Sequence, residues 1–171
     1  NLELTELMCF FNDLTNLDLS NNTSLVLLNT AHNNLESLNV ASNLLLETLY
    51  IPDNNLIEID VSNNDLLEEL QCQQNELISL DLTNNLALTT LFCGSNLNLL
   101  CIDVSDPDVA ASLWTVEGGN IDDGMSFAIT CNLPGCNDPY ADNYNPDASS
   151  NNGSCSYDSD FEDNYTFLGT F

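Results

Sequence analysis

Apolar side chains return along the first 108 residues in blocks of 21. The blocks are LTELMCFFNDLTNLDLSNNTS (4–24), LVLLNTAHNNLESLNVASNLL (25–45), LETLYIPDNNLIEIDVSNNDL (46–66), LEELQCQQNELISLDLTNNLA (67–87) and LTTLFCGSNLNLLCIDVSDPD (88–108). Only the last slips, by one residue near Asn98. Leu7, Leu28, Leu49, Leu70 and Leu91 alternate with polar neighbours. So does the column two residues on: Cys9, Thr30, Ile51, Cys72 and Cys93. Period-two alternation predicts short parallel strands with these residues pointing inward. The second apolar element of each block, such as Leu17 with Leu19 or Ile59 with Val61, is too short and too β-branched for a helix. The back of each coil is therefore expected to be extended chain. The resulting fold class is mainly β, a solenoid of short parallel strands with a mostly extended convex side.

Two asparagine columns punctuate the period. Asn12, Asn33, Asn54, Asn75 and Asn96 are expected to form a buried amide ladder where the chain leaves the strand, because an unpaired buried peptide group is costly. Asn22, Asn43, Asn64 and Asn85 are expected to close each coil at a tight turn in left-handed geometry. Asn1 falls in that same column, so the chain is expected to start inside a coil of a longer, N-terminally truncated solenoid.

The common pattern, L-x-x-L-x-C/T/I-x-x-N-x-L-x-x-L/I-x-L/V, resembles the leucine-rich repeat over residues 1–108. The adjoining segment, SNLNLLCIDVSDPDVAASLWTVEGGNIDDGMSFAITC, resembles the C-terminal closing segment of secreted leucine-rich-repeat proteins of the Bacteroidetes type. That resemblance makes residues 109–131 a cap. It implies that Cys101 pairs with Cys131 and that Trp114, Phe127 and Ile129 cover the last coil. Closing that loop is worth about 3 to 4 kcal/mol in the chain-entropy picture. Cys9, Cys72 and Cys93 lie in the inward column and are expected to be free buried thiols, since adjacent parallel strands seldom offer disulfide geometry.

GCNDPYADNYNPDASSNNGSCSY, residues 135–157, is too polar to make a core. It resembles a short disulfide-tied repeat of large secreted bacterial adhesins, keeping Cys136, Cys155, Asp138, Asn143, Tyr144 and Tyr157, and departing at Asn151 and Asn152. Residues 132–157 then form a spacer module held by Cys136–Cys155, and residues 158–171 a linker or the start of a further domain. Asp138, Asp142, Asn145 and Asp147, with Asn143, offer oxygen ligands of the kind calcium takes. An EF-hand is excluded by Ala148, which stands where a glycine is needed. The loop is either a calcium site or a hydrogen-bonded turn cluster, and calcium is the one cofactor worth considering.

Charge narrows the partners. The chain carries 27 Asp and Glu against no Lys or Arg, a formal charge of −27; an average chain of this size holds about 20 basic residues. These carboxylates have to be screened, bound by divalent cations or left to repel. Screening tightens from about 8 Å at physiological salt to about 3 Å at 1 M, so a saline or calcium-rich exterior suits the molecule. Nucleic acid and anionic membranes, which need cationic side chains, are disfavoured. No stretch of about 18 apolar residues is present for direct membrane insertion.

The outward positions of the predicted concave strands are the natural binding face of such a solenoid. Met8, Tyr50 and Phe92 share one column; with Phe10, Phe11, His32 and Gln71 they are the candidate ligand-binding residues, and Ala31 and Pro52 are also read as outward. No catalytic residue is identified, since the only histidine, His32, has no nucleophile beside it in the pattern. The expected function is a non-enzymatic extracellular or cell-surface module of an adhesin, filament or appendage, contacting protein, glycan or neighbouring subunits. The alternative is an accessory binding region of a secreted hydrolase whose catalytic domain lies elsewhere.

Overall fold

The computed structural model describes residues 1–131, 134–136, 138–144, 150, 151 and 154–157. The chain divides into two compact units, Asn1–Thr130 and Cys131–Phe171.

In the first unit, strands β1 (Glu6–Met8), β2 (Leu27–Asn29), β3 (Thr48–Tyr50), β4 (Glu69–Gln71) and β5 (Thr90–Phe92) form one parallel sheet in sequence order. Every neighbouring pair is offset by the same 21 residues, so Leu7, Leu28, Leu49, Leu70 and Leu91 stand side by side. The last four of these leucines are completely buried.

The strands stop after three residues because the chain turns sharply. In each coil one residue takes positive φ, between 53° and 60°: Phe11, His32, Asp53, Gln74 and Ser95. Left-handed geometry costs a residue with a Cβ about 1 kcal/mol or more. Here it aims the backbone N–H at the next coil, with Phe11, His32, Asp53 and Gln74 donating to Ala31, Pro52, Gln73 and Gly94 carbonyls at 2.9 to 3.1 Å. The left-handed column is therefore not the one expected. Asn22, Asn43, Asn64 and Asn85 keep negative φ; they end ordinary turns, as where Asn43 N donates to the Val40 carbonyl at 2.9 Å.

Both asparagine columns face inward and sew coil to coil. Asn54 accepts from Leu35 N at 3.0 Å and donates to the Thr30, Ile51 and Pro52 carbonyls at 3.0 to 3.2 Å. Asn33, Asn75 and Asn96 repeat the arrangement. On the opposite edge, Asn64 Nδ2 reaches the Asn43 carbonyl at 2.8 Å, and Asn85 reaches that of Asn64 at 2.9 Å. The apolar columns fill the space between, with Leu35, Leu46, Leu56, Leu67 and Leu77 all completely buried.

A sixth turn closes the far end. Strand β6 (Cys101–Asp103) lies on the convex side and pairs in parallel with β7 (Ser126–Ala128). Between them, α1 (Pro107–Leu113) breaks the extended pattern. Asp106 caps it by accepting from Asp108 N and Val109 N at 3.1 Å each, and Pro107 suits the first turn. Trp114 is buried, its ring 5.8 Å from that of Phe127 and its Nε1 donating to the Thr89 carbonyl at 3.2 Å. Asn120 O accepts from Cys93 N at 2.8 Å, and the Asp122 carboxylate accepts from Ser95 N at 2.5 Å, replacing the missing next coil. Ile129, read as a covering residue, is instead 70% exposed: it lies beyond β7, where Ile121 and Phe127 already pack against the core.

In the second unit β8 (Pro134–Gly135) pairs in parallel with β9 (Ser150–Asn151). Cys136 and Cys155 are joined, with Cα atoms 4.7 Å apart. Asn143 clamps the two arms by donating to Ser154 O at 2.7 Å and accepting from Ser156 N at 2.8 Å. Asp138 accepts from Tyr140 N at 2.9 Å and from the Tyr157 hydroxyl at 2.6 Å. These bonds hold the Asp138 carboxyl below the usual carboxylate range, the Tyr157 hydroxyl being the larger cause.

Candidate functional site

Along the concave sheet the central residue of each strand points inward and its neighbours outward. The register sets Met8, Asn29, Tyr50, Gln71 and Phe92 in one outward row. At about 4.8 Å per strand this row runs about 19 Å. The candidate residues do not gather at one point; they form two groups.

The first sits at the N-terminal edge. Met8, Phe10 and Phe11 are 57%, 44% and 70% exposed. Phe11 stacks on His32 with ring centres 4.1 Å apart and planes 7° from parallel, and Phe10 meets Phe11 edge-on at 5.8 Å. His32 Nδ1 lies 3.1 Å from the Asp53 carboxylate. The stack exists because Phe11, His32 and Asp53 occupy consecutive places in the left-handed column, which aligns their side chains along the rim.

The second group lies mid-sheet. Tyr50 donates its hydroxyl to Glu69 at 2.7 Å, and Gln71 donates to the other Glu69 oxygen at 3.0 Å. Burial, reinforced by Glu69, pushes the Tyr50 hydroxyl up to about 12, so it remains a neutral donor at physiological pH. Phe92 stands half-buried on β5, in register beside Gln71. Ala31 and Pro52, read as outward, are buried, because the turn begins at them and rotates their side chains under the rim. Glu69 and Asp53 organise the two groups, yet neither is singled out by the repeat. The clue was available: register places Thr48 opposite Glu69, two residues along the strand from Tyr50's partner Gln71 and on the same outward face.

Nothing in this arrangement pairs a nucleophile with a base. Cys72 and Cys93 are buried and free; Cys9 is free but only half-buried, because β1 is the edge strand. Burial raises the thiol pKa of Cys72 well above the ordinary value, and that of Cys93 to about 12. Native protein incubated with a thiol reagent at pH 9, where an ordinary thiol is half ionised, is therefore expected to label at Cys9 first. Cys72 and Cys93 should label only after urea unfolding. Fast native labelling of Cys93 would contradict the inward assignment. Cys101 and Cys131 are each disulfide-bonded.

On the convex side Asp18 and Asp60 accept from Ser20 N and Ser62 N at 2.9 Å, and Asp81 accepts from both Thr83 N and its hydroxyl. The Ser20 and Ser62 hydroxyl and amide groups hold Asp18 and Asp60 below the usual carboxylate range. These carboxylates serve as local turn caps. Among the described residues no three His, Cys, Asp or Glu are grouped so as to hold a metal ion. Of the calcium candidates, Asp138 is engaged by Tyr140 and Tyr157, Asp142 is exposed, and Asn145 and Asp147 lie outside the described residues. No helix among the described residues is long and apolar enough to cross a membrane.

No family model matches the chain, and no curated protein matches it. Among solved structures it is similar to the functional domain of InlJ from Listeria monocytogenes, described as including a cysteine ladder. The identity is 28% and the TM-score 0.55, over 61% of this chain and 27% of that one. This chain thus matches about a quarter of the length of that solved chain. In this chain the corresponding inward column reads Cys9, Thr30, Ile51, Cys72 and Cys93. In-register coils, stitched by asparagine and filled by leucine, together with that likeness, make the fold of this chain a leucine-rich-repeat solenoid.

Proposed function

We propose that the chain is a non-enzymatic binding module of a secreted or surface-attached protein, a Bacteroidetes-type adhesin, filament or appendage, and that its concave face contacts protein or glycan. The observation that carries this reading is the exposed rim of Met8, Phe10 and Phe11, with Phe11 stacked on His32. Aromatic faces held rigid by neighbours lose little entropy when they meet a ligand, and they dominate contact energies where they occur. Export is supported by the cysteines, since disulfides persist in oxidising compartments and Cys136–Cys155 is one.

The test is a binding panel of soluble glycans and purified surface proteins, read by interferometry. The double variant Met8→Ser with Phe11→Ser should weaken a recognised ligand about tenfold or more. Asp60→Asn on the convex side should leave it unchanged. Equal affinity for the concave variant and the native chain would remove the reading.

A further inference from the structure

The tips of the coil-closing turns carry leucines that the turn itself does not require. In the first coil the two outward tip residues are Thr23 and Ser24; in later coils they are Leu44 with Leu45, Asp65 with Leu66, and Leu86 with Ala87. The hydrogen bond closing each turn, from Leu46, Leu67 or Leu88 N to the preceding asparagine carbonyl at 3.0 to 3.1 Å, involves none of these side chains. Yet Leu44, Leu66 and Leu86 are 57%, 47% and 76% exposed. They line an open groove of about 640 Å³ whose remaining walls are Ser62, Asn63, Asp65, Thr83 and Asn84.

A smaller groove continues from it. Leu86 also lines a hollow of about 90 Å³ bounded by Val109, Leu113 and Trp114, where α1 replaces the turn. Val109 and Leu113 are 51% and 52% exposed. The apolar side chains thus form one strip, three coil steps or about 14 Å long. Contiguous exposed apolar surface of this kind marks contact sites on soluble proteins.

Charge decides what fits. Asp65 lies within the strip, Asp106 lines its far end and Asp108 is exposed beside it. No Lys or Arg exists anywhere in the chain to answer them. A second copy would bring another −27 to the contact and no basic residue, so like charges would oppose it. We infer that this turn ridge is a docking surface for a basic amphipathic segment of another protein, with apolar residues seated on Leu44, Leu66, Leu86 and Leu113 and Lys or Arg flanking them.

Trp114, the only tryptophan, lines the ridge and reports on it. The probe is a synthetic helical Leu-Lys peptide of about fourteen residues, long enough for the strip at about 1.5 Å per residue, titrated at physiological salt while Trp114 emission is followed. Saturable binding is expected. It should weaken about tenfold or more in the Leu44→Ser, Leu66→Ser, Leu86→Ser variant, whose substitutions are all at exposed sites. The Met8→Ser, Phe11→Ser variant should bind the probe like the native chain, so failure of the concave reading and failure of this one are separable. Equal binding of a Ser-Lys peptide would reduce the effect to bulk charge and overturn the inference. Unchanged binding by the triple leucine variant would do the same. So would sedimentation showing a native dimer that the variant abolishes, since the ridge would then belong to a second copy.

Discussion

Asn54→Ala is expected to lower the free energy of unfolding by about 3 kcal/mol, whereas Asn55→Ala, one residue away, should change it by less than about 0.5 kcal/mol. Asn54 is 7% exposed, and its amide serves four backbone groups from two coils. Alanine leaves Leu35 N–H buried without its acceptor and strips a donor from the Thr30, Ile51 and Pro52 carbonyls. A buried group left unpaired costs more than a hydrogen bond contributes. Asn55 is exposed, and its backbone N–H still donates to the Leu35 carbonyl at 2.9 Å whatever side chain it bears. Urea unfolding measures both: a fall in the midpoint at constant slope is the expected signature for Asn54→Ala. Matching midpoints for the two variants would mean that the ladder is not what joins the coils.

Trp114→Ala should be at least as damaging, at about 3 to 5 kcal/mol. The indole closes the open end of the leucine interior with Phe127 beside it, and its removal wets Leu88, Val104 and Ala110. Trp114→Phe keeps an aromatic ring but loses the bond to the Thr89 carbonyl, and should cost nearer to about 1 kcal/mol for that bond, with a further penalty for the smaller ring. In a stack where each coil leans on its neighbours, the loss spreads inward from the exposed end. Hydrogen exchange is the discriminating measurement: the Thr90 amide in the last concave strand and the Cys93 amide just after it should lose protection before Leu49 in the middle. Uniform loss along the sheet would show that the closing turn is not a local cap.

The sheet, the leucine interior and the asparagine ladder were legible because each is written five times at one spacing. Repetition cancels the ambiguity of a three-residue strand, which alone would predict nothing. Local backbone geometry was less legible. Phe11, His32, Asp53, Gln74 and Ser95 share no side-chain chemistry, so nothing in the letters marks their left-handed φ, while the asparagines nearby drew the expectation to themselves. The helix α1 was signalled by Asp106-Pro107 before Val-Ala-Ala-Ser-Leu, a capped start that a repeat-based reading passes over. Alternation set Met8, Tyr50, Gln71 and Phe92 outward, as observed, but failed at Ala31 and Pro52 and did not give their partners: Tyr50 reaches Glu69 diagonally across strands, a relation that exists only once register is known. The leucines at the turn tips looked like ordinary members of an apolar chain until their exposure set them apart.

The single register shared by all four concave interfaces also has a genetic corollary. A duplication or excision of one whole period would hand every surviving amide and leucine a partner of the same kind, so the length of the spiral is free to drift between related genes. Loss of a single codon within a strand would turn its inward residues toward water. Such a molecule changes size in quanta, and a population of its descendants should differ by whole coils far more often than by fractions of one.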